Sequence, residues 1–125
     1  MKMIEEIKIS DGLTLDIFDL SREIAADTIQ VEIAVRSDIE LKESFFLKHA
    51  DYELVRKFFG DKILYEYKSK RSYVRGKNSD AVLEELLNTF KTNTLPYLGV
   101  EDFAERLAKA KLREIVKNPY KYRNE

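Results

Sequence analysis

Residues 28–41 read TIQVEIAVRSDIEL. Apolar side chains fall at Ile29, Val31, Ile33, Val35, Ile39 and Leu41, and between them stand Gln30, Glu32, Ala34, Arg36, Asp38 and Glu40. Successive side chains of a strand point to opposite faces, so this spacing predicts a half-buried strand with one face on a core. Only Ser37 interrupts the inward row. The run is longer than most strands, which average about 5–6 residues. A long strand with one polar face belongs in the middle of an antiparallel sheet, helices on one side and water on the other.

Working outward, the segment before it predicts a hairpin. Met3, Ile7 and Ile9 alternate with polar residues, then Asp11-Gly12 is followed by Leu13, Leu15 and Ile17. A two-residue Asp-Gly turn would pair Ser10 with Leu13 and Ile9 with Thr14, putting the two apolar rows on opposite faces. A three-residue loop, Ser10 to Gly12, pairs Ile9 with Leu13 and Ile7 with Leu15 and keeps both rows on one face. That loop is a type I turn with Gly12 left-handed, which only glycine adopts cheaply. Residues 19–27 (DLSREIAAD) leave two readings open: a connector with a short helical turn capped by Ser21, or a loop carrying Leu20 and Ile24 inward.

Beyond the long strand, Phe45, Phe46 and Leu47 suggest a connection folded back on the core. Asp51 is placed to cap a helix from Tyr52 to Phe59, with Leu54, Val55 and Phe58 as its buried stripe and Gly60 at its end. Ile63, Tyr65 and Tyr67 alternate into a fourth strand that either runs on to Val74 or turns near Ser69 into a short fifth strand. A helix from Asp80 to about Thr92, capped by Asn78 or Ser79, buries Val82, Leu83, Leu86, Leu87 and Phe90. Pro96 interrupts or kinks it. A last helix covers about Val100 to Val116, with Phe103, Leu107, Ala108, Ile115 and Val116 along one side, and the tail 117–125 is expected to fray. The expected fold is α+β in a single domain over residues 1–125: an antiparallel sheet of four to five strands with about three helices packed on one face, in the order β-β-β-α-β-(β)-α-α.

Composition excludes several function classes. The chain has 125 residues, no cysteine and one histidine, so disulfides, thiolate catalysis and histidine-rich zinc sites are out. No apolar run approaches the roughly 20 residues of a membrane span. Glu5 and Glu6 stand where a signal peptide would need its apolar centre, so a cytoplasmic protein is expected. The net charge is −1, but residues 1–62 hold 9 basic and 14 acidic side chains whereas residues 63–125 hold 13 and 9. That polarity suits steering of a charged partner or head-to-tail pairing of two copies.

Catalytic signatures are missing. Gly12, Gly60, Gly76 and Gly99 all fall at predicted turns or helix ends, and none belongs to a phosphate-binding loop. His49 could act as a general base beside a carboxylate, but Asp51 at i+2 does not face it on a helix. No calcium-loop spacing occurs, and no cofactor is implied. The densest feature is residues 68–77, KSKRSYVRGK, which brings Lys68, Lys70, Arg71, Arg75 and Lys77 together around Tyr73. Such a basic hairpin suits an acidic protein partner or nucleic-acid phosphates with a stacked base; equally, it is a solvated edge whose lysines discourage aggregation. Tyr120, Lys121, Tyr122 and Arg123 form a smaller basic-aromatic tail.

The opening ISDGLTLDIFDLSREIAADTIQVEI, with its DG hairpin, DLSR connector and long strand, resembles a group of small uncharacterised bacterial proteins. The resemblance covers the first third of the chain. It implies a stand-alone domain and carries over no activity or catalytic residue.

Three functions remain. The first is a small non-catalytic protein-interaction domain working through the basic segment or an open sheet edge. The second is nucleic-acid binding through Lys70, Arg71, Tyr73 and Arg75. The third is an enzyme or small-ligand binder with a site between sheet and helices, to which Tyr65, Tyr67 and His49 would contribute. Phe45, Phe46, Phe58 and Phe59 also make a homodimer plausible.

Overall fold

The computed structural model describes residues 2–10, 13–100 and 102–122. The fold is α+β, with a five-stranded antiparallel sheet and helices following in the expected order. The chain groups into two compact units. The first comprises residues 1–37 and 65–99, the second residues 38–64 and 100–125.

In the first unit, β1 (Lys2–Ser10) pairs antiparallel with β2 (Leu13–Asp19), and β2 pairs with β4 (Thr28–Glu40). Ile7 stands opposite Leu15 as expected, but Ser10, not Ile9, is opposite Leu13. A bulge between Lys8 and Ser10 absorbs one residue, so Ile7 and Leu15 share a face without a three-residue loop; a second bulge between Met3 and Glu5 puts Met3, expected in the same row, opposite Phe18 and exposed. The turn itself, Asp11 and Gly12, lies outside the described residues.

The ambiguous segment after β2 is neither a helical turn nor a plain loop. It forms β3 (Arg22–Ala25), joined to β4 by a tight turn in which Asp27 has φ 53°. Asp16 faces Arg36 and Asp19 faces Ile33; Arg22 then faces Gln30 and Glu23 faces Ile29. The register holds from Asp16 to Glu23 and slips only between Glu23 and Ala25, so β2 and β3 are one arm interrupted at Leu20 and Ser21. The interruption is stitched locally. The Leu20 N–H donates to the Glu32 carbonyl at 2.9 Å, and the Glu32 N–H donates to the Ser21 hydroxyl at 3.1 Å. Ile24, expected inward, is exposed.

The core of this unit follows the alternation. Leu15, Ile17, Val31, Ile33 and Val35 are fully buried on the inward face, each contributing about 1.5–3 kcal/mol of transfer free energy. Leu86 of α2 (Ser79–Thr89), Phe90, and Leu98 of α3 (Leu95–Leu98) are buried in the same unit. Pro96 does not break the helix. A wide π-type turn, Phe90–Thr94, joins α2 to α3, and the Leu95 N–H reaches back to the Phe90 carbonyl. The wider turn accommodates the donor that proline lacks and points Phe90 into the core.

The second unit holds the end of β4, a single 3₁₀ turn (Glu43–Phe45), α1 (His49–Phe59), the first residues of β5 (Lys62–Arg75) and α4 (Phe103–Lys117). Ile39, Leu41, Val55, Ile63, Ala108 and Ile115 are its buried apolar residues. Helix α1 begins at His49, before the expected start, so Asp51 lies in the first turn and not at the cap. There its charge complements the helix dipole. Gly60 ends the helix at φ 84°, as glycine was expected to. Leu47 and Val116, expected inward, point to solvent at 101% and 67% exposure. Past α4 the chain folds back: the Tyr122 hydroxyl donates to Glu114 at 2.6 Å, and its ring packs on Phe58 and Phe59 at 5.4 and 5.7 Å.

Candidate interaction edge

Residues 68–75 do not turn back into a hairpin. They continue β5, a strand of 14 residues whose only partner among the described strands is β4. The register follows from two contacts. The Leu41 N–H donates to the Asp61 carbonyl at 2.8 Å, and Arg36 Nε meets Glu66 Oε2 at 2.6 Å. In an antiparallel ladder, residues bonding toward one neighbour alternate with residues whose backbone groups face the other way. Tyr65, Tyr67 and Ser69 therefore bond toward β4, and the N–H and C=O groups of Glu66, Lys68 and Lys70 face the open side.

Side chains alternate with the same period. Tyr65, Tyr67 and Ser69 are half-buried on the helix side. The Tyr67 ring lies 5.0 Å from that of Phe90. Burial, with Tyr67 beside it, raises the pKa of the Tyr65 hydroxyl above its usual value. Glu66, Lys68 and Lys70 stand exposed on the other face. The alternation fails after Lys70 and resumes with Val74 buried. The break contains Tyr73, 82% exposed on a left-handed backbone with φ 60°. Past it, the Gly76 N–H donates to the Asp27 carbonyl at 3.1 Å and closes the end of the sheet.

The six basic and aromatic candidates thus divide. Arg71 is engaged inside the fold. Its Nη1 and Nη2 donate to the two Glu85 oxygens of α2 at 2.9 and 3.0 Å. That hydrogen-bonded pair raises the arginine pKa and lowers that of Glu85. Lys68 Nζ is 4.0 Å from Glu66, whose carboxylate already holds Arg36. Lys70, Arg75 and Lys77 take part in no ion pair among the described residues; Lys77 lies in the 3₁₀ turn after β5. The edge therefore presents Lys68, Lys70, Tyr73 and Arg75.

The residues of the ligand-site reading are not assembled. His49 belongs to the second unit, exposed at the start of α1, with Nδ1 2.7 Å from Glu43 and Nε2 3.5 Å from Glu53. Tyr65 and Tyr67 belong to the first. The first unit has an open pocket of about 430 Å³ lined by Ala81, Glu84, Glu85, Asn88, Thr89, Thr92 and Asn93. A smaller one of about 170 Å³ includes Asp19, Arg22, Glu23, Ser79 and Asp80. Neither includes either tyrosine. Among the described residues, no three His, Asp or Glu side chains form a group that could hold a metal. No described helix is long and apolar enough to cross a membrane.

No family model matches the chain, and no curated protein or solved structure matches it either.

Sequence reasoning missed two things here. The Arg71–Glu85 pair spans 14 residues and two elements, and nothing in local spacing signals it. The left-handed backbone at Tyr73 has no glycine or asparagine to mark it, and the one available signal is the apolar parity slipping by one between Tyr67 and Val74.

Proposed function

We propose that the protein is a non-catalytic protein-interaction domain that docks a partner on the open edge of β5. The observation that supports this reading is the edge itself: a 14-residue strand whose only partner among the described strands is β4, with Lys70 and Arg75 in no ion pair among the described residues, Lys68 held only at 4.0 Å by Glu66, and Tyr73 exposed. An extended segment added to such an edge gains main-chain hydrogen bonds, and the side chains of the edge select it. Positive charge on both edges opposes pairing of β5 with the β5 of a second copy and favours an acidic partner. With Arg71 held by Glu85 and a net charge of −1, the same face has less to offer a phosphate backbone.

The test is affinity capture from nuclease-treated lysate of the native host, comparing the wild type with the triple variant Lys68→Glu, Lys70→Glu, Arg75→Glu. A defined protein retained by the wild type and lost by the variant is the expected result. Nucleic acid retained only when nuclease is omitted replaces the reading with the phosphate-binding one. Equal retention by both proteins removes β5 as the contact, and an empty capture removes the interaction reading.

A further inference from the structure

We propose that the occupant of this edge is an extended peptide segment carrying two acidic side chains two residues apart. The inference rests on the interaction reading above and specifies the partner's chemistry.

Lys68 and Lys70 lie on the same face of β5, and Ser69 between them points to the helix side. Along a strand, i and i+2 side chains are about 6.6–6.8 Å apart. A docked strand has the same repeat. Its acidic residues at i and i+2 would therefore each stand opposite one lysine, with Cβ atoms about 4.5–5.5 Å apart. Adjacent acidic residues would place only one carboxylate there. The other would fall on the helix side beside Tyr67 and Ser69, which are half-buried and offer no cation.

The neighbouring charges sharpen this selection. Glu66 would repel an acidic partner at the next position, but Arg36 holds it at 2.6 Å from the adjoining strand. Arg71 is withdrawn to Glu85. The two lysines are thus the cations that a strand laid along Glu66 to Lys70 would meet. The strand runs on to Arg75, but the left-handed residue at Tyr73 breaks its regular alternation and sets the following residues out of phase. The docking frame in the first unit is therefore short, on the order of five to seven residues, and the exposed ring of Tyr73 caps its end.

Two capped heptapeptide isomers built on threonine and valine provide the probe. One has aspartates at its third and fifth positions, the other at its third and fourth. Titration into the isotope-labelled full chain, followed by amide chemical shifts, reads both affinity and location. The alternating isomer should bind about two- to fivefold tighter, with shifts concentrated from Glu66 to Ser72. Lys68→Pro should abolish binding of both, because it removes an edge donor that β4 does not use, while the remaining amide spectrum stays folded. Lys68→Ala should weaken the alternating isomer and shrink its advantage. Equal affinities, shifts located elsewhere, or tighter binding of a short single-stranded oligonucleotide would overturn the proposal. If neither peptide binds yet a protein from lysate is captured and lost in the triple variant, the acidic spacing fails and the interaction reading stands. If the capture is empty as well, both fail.

Discussion

Tyr73 carries an exposed aromatic ring on a backbone conformation that costs a non-glycine residue about 1–2 kcal/mol. Its ring is too exposed for burial to offset that cost. Asparagine tolerates the left-handed region, so Tyr73→Asn should raise stability by about 0.5–1 kcal/mol. A urea midpoint that moves up at constant slope would show it; a midpoint that falls would mean the ring packs more than its exposure indicates. Ser37 is the opposite case. It is 2% exposed, and its hydroxyl has no hydrogen-bond partner among the described residues. An unsatisfied buried hydroxyl is a liability, so Ser37→Ala should be stabilising by up to about 1 kcal/mol, measured in the same way. The Glu114–Tyr122 contact makes a pH prediction. The tyrosine hydroxyl holds the Glu114 pKa below the ordinary range, and the bond to Glu114 raises that of Tyr122. A lowered carboxylate pKa stabilises the fold above the unfolded value, and that contribution fades as pH falls through the folded value. A raised tyrosine pKa contributes fully below the unfolded value and is lost as pH rises through the folded one. The packing of Tyr122 on Phe58 and Phe59 should thus persist across neutral pH and loosen at both extremes. Ring chemical shifts of Phe58 would report it, and Glu114→Gln should flatten the acid limb.

At the scale of elements, β4 was the most legible because its period of two needs no partner to be read. The same holds for the inward row of β2, the start of β5 and Ile7 of β1, whereas Met3 falls outside its expected row because a bulge precedes Glu5. What escaped the reading depends on contacts distant in sequence. β3 exists because Ser21 bonds the backbone of Glu32, 11 residues on, and lets one arm continue past its own interruption. The basic segment reads as a hairpin from composition, but pairing with β4 extends β5 to Arg75. Pro96 reads as a break, yet the wide turn before it absorbs the proline and fixes Phe90, which is fully buried, beneath Tyr67. Phe90→Ala should therefore cost about 3–5 kcal/mol. A loss under about 1 kcal/mol in chemical denaturation would mean that the turn, not the ring, sets the helix position. The interaction edge was half-legible: its charges were plain, but which of them were already engaged was not.

At the scale of the whole molecule, the lopsided charge of the sequence lies across a chain that passes between its two units at residues 37–38, 64–65 and 99–100. Neither unit is a contiguous stretch. In the second, α1 meets α4 through Lys111 over the Phe59 ring, and Tyr122 closes on the same aromatic pair. A chain ending at Gly99 would leave Val55, Phe58 and Phe59 without that cover. It should bind a hydrophobic dye and aggregate where the full chain does not; a monomeric, dye-silent fragment would show that the second unit tolerates the loss. The interleaving also bears on the order in which the protein is made. Residues 38–64 leave the ribosome long before residues 103–117, so the apolar side of α1 waits, uncovered, for about forty residues of synthesis. At the usual ~5–20 residues per second, that is an exposure of a few seconds, during which α1 is a natural client for a chaperone.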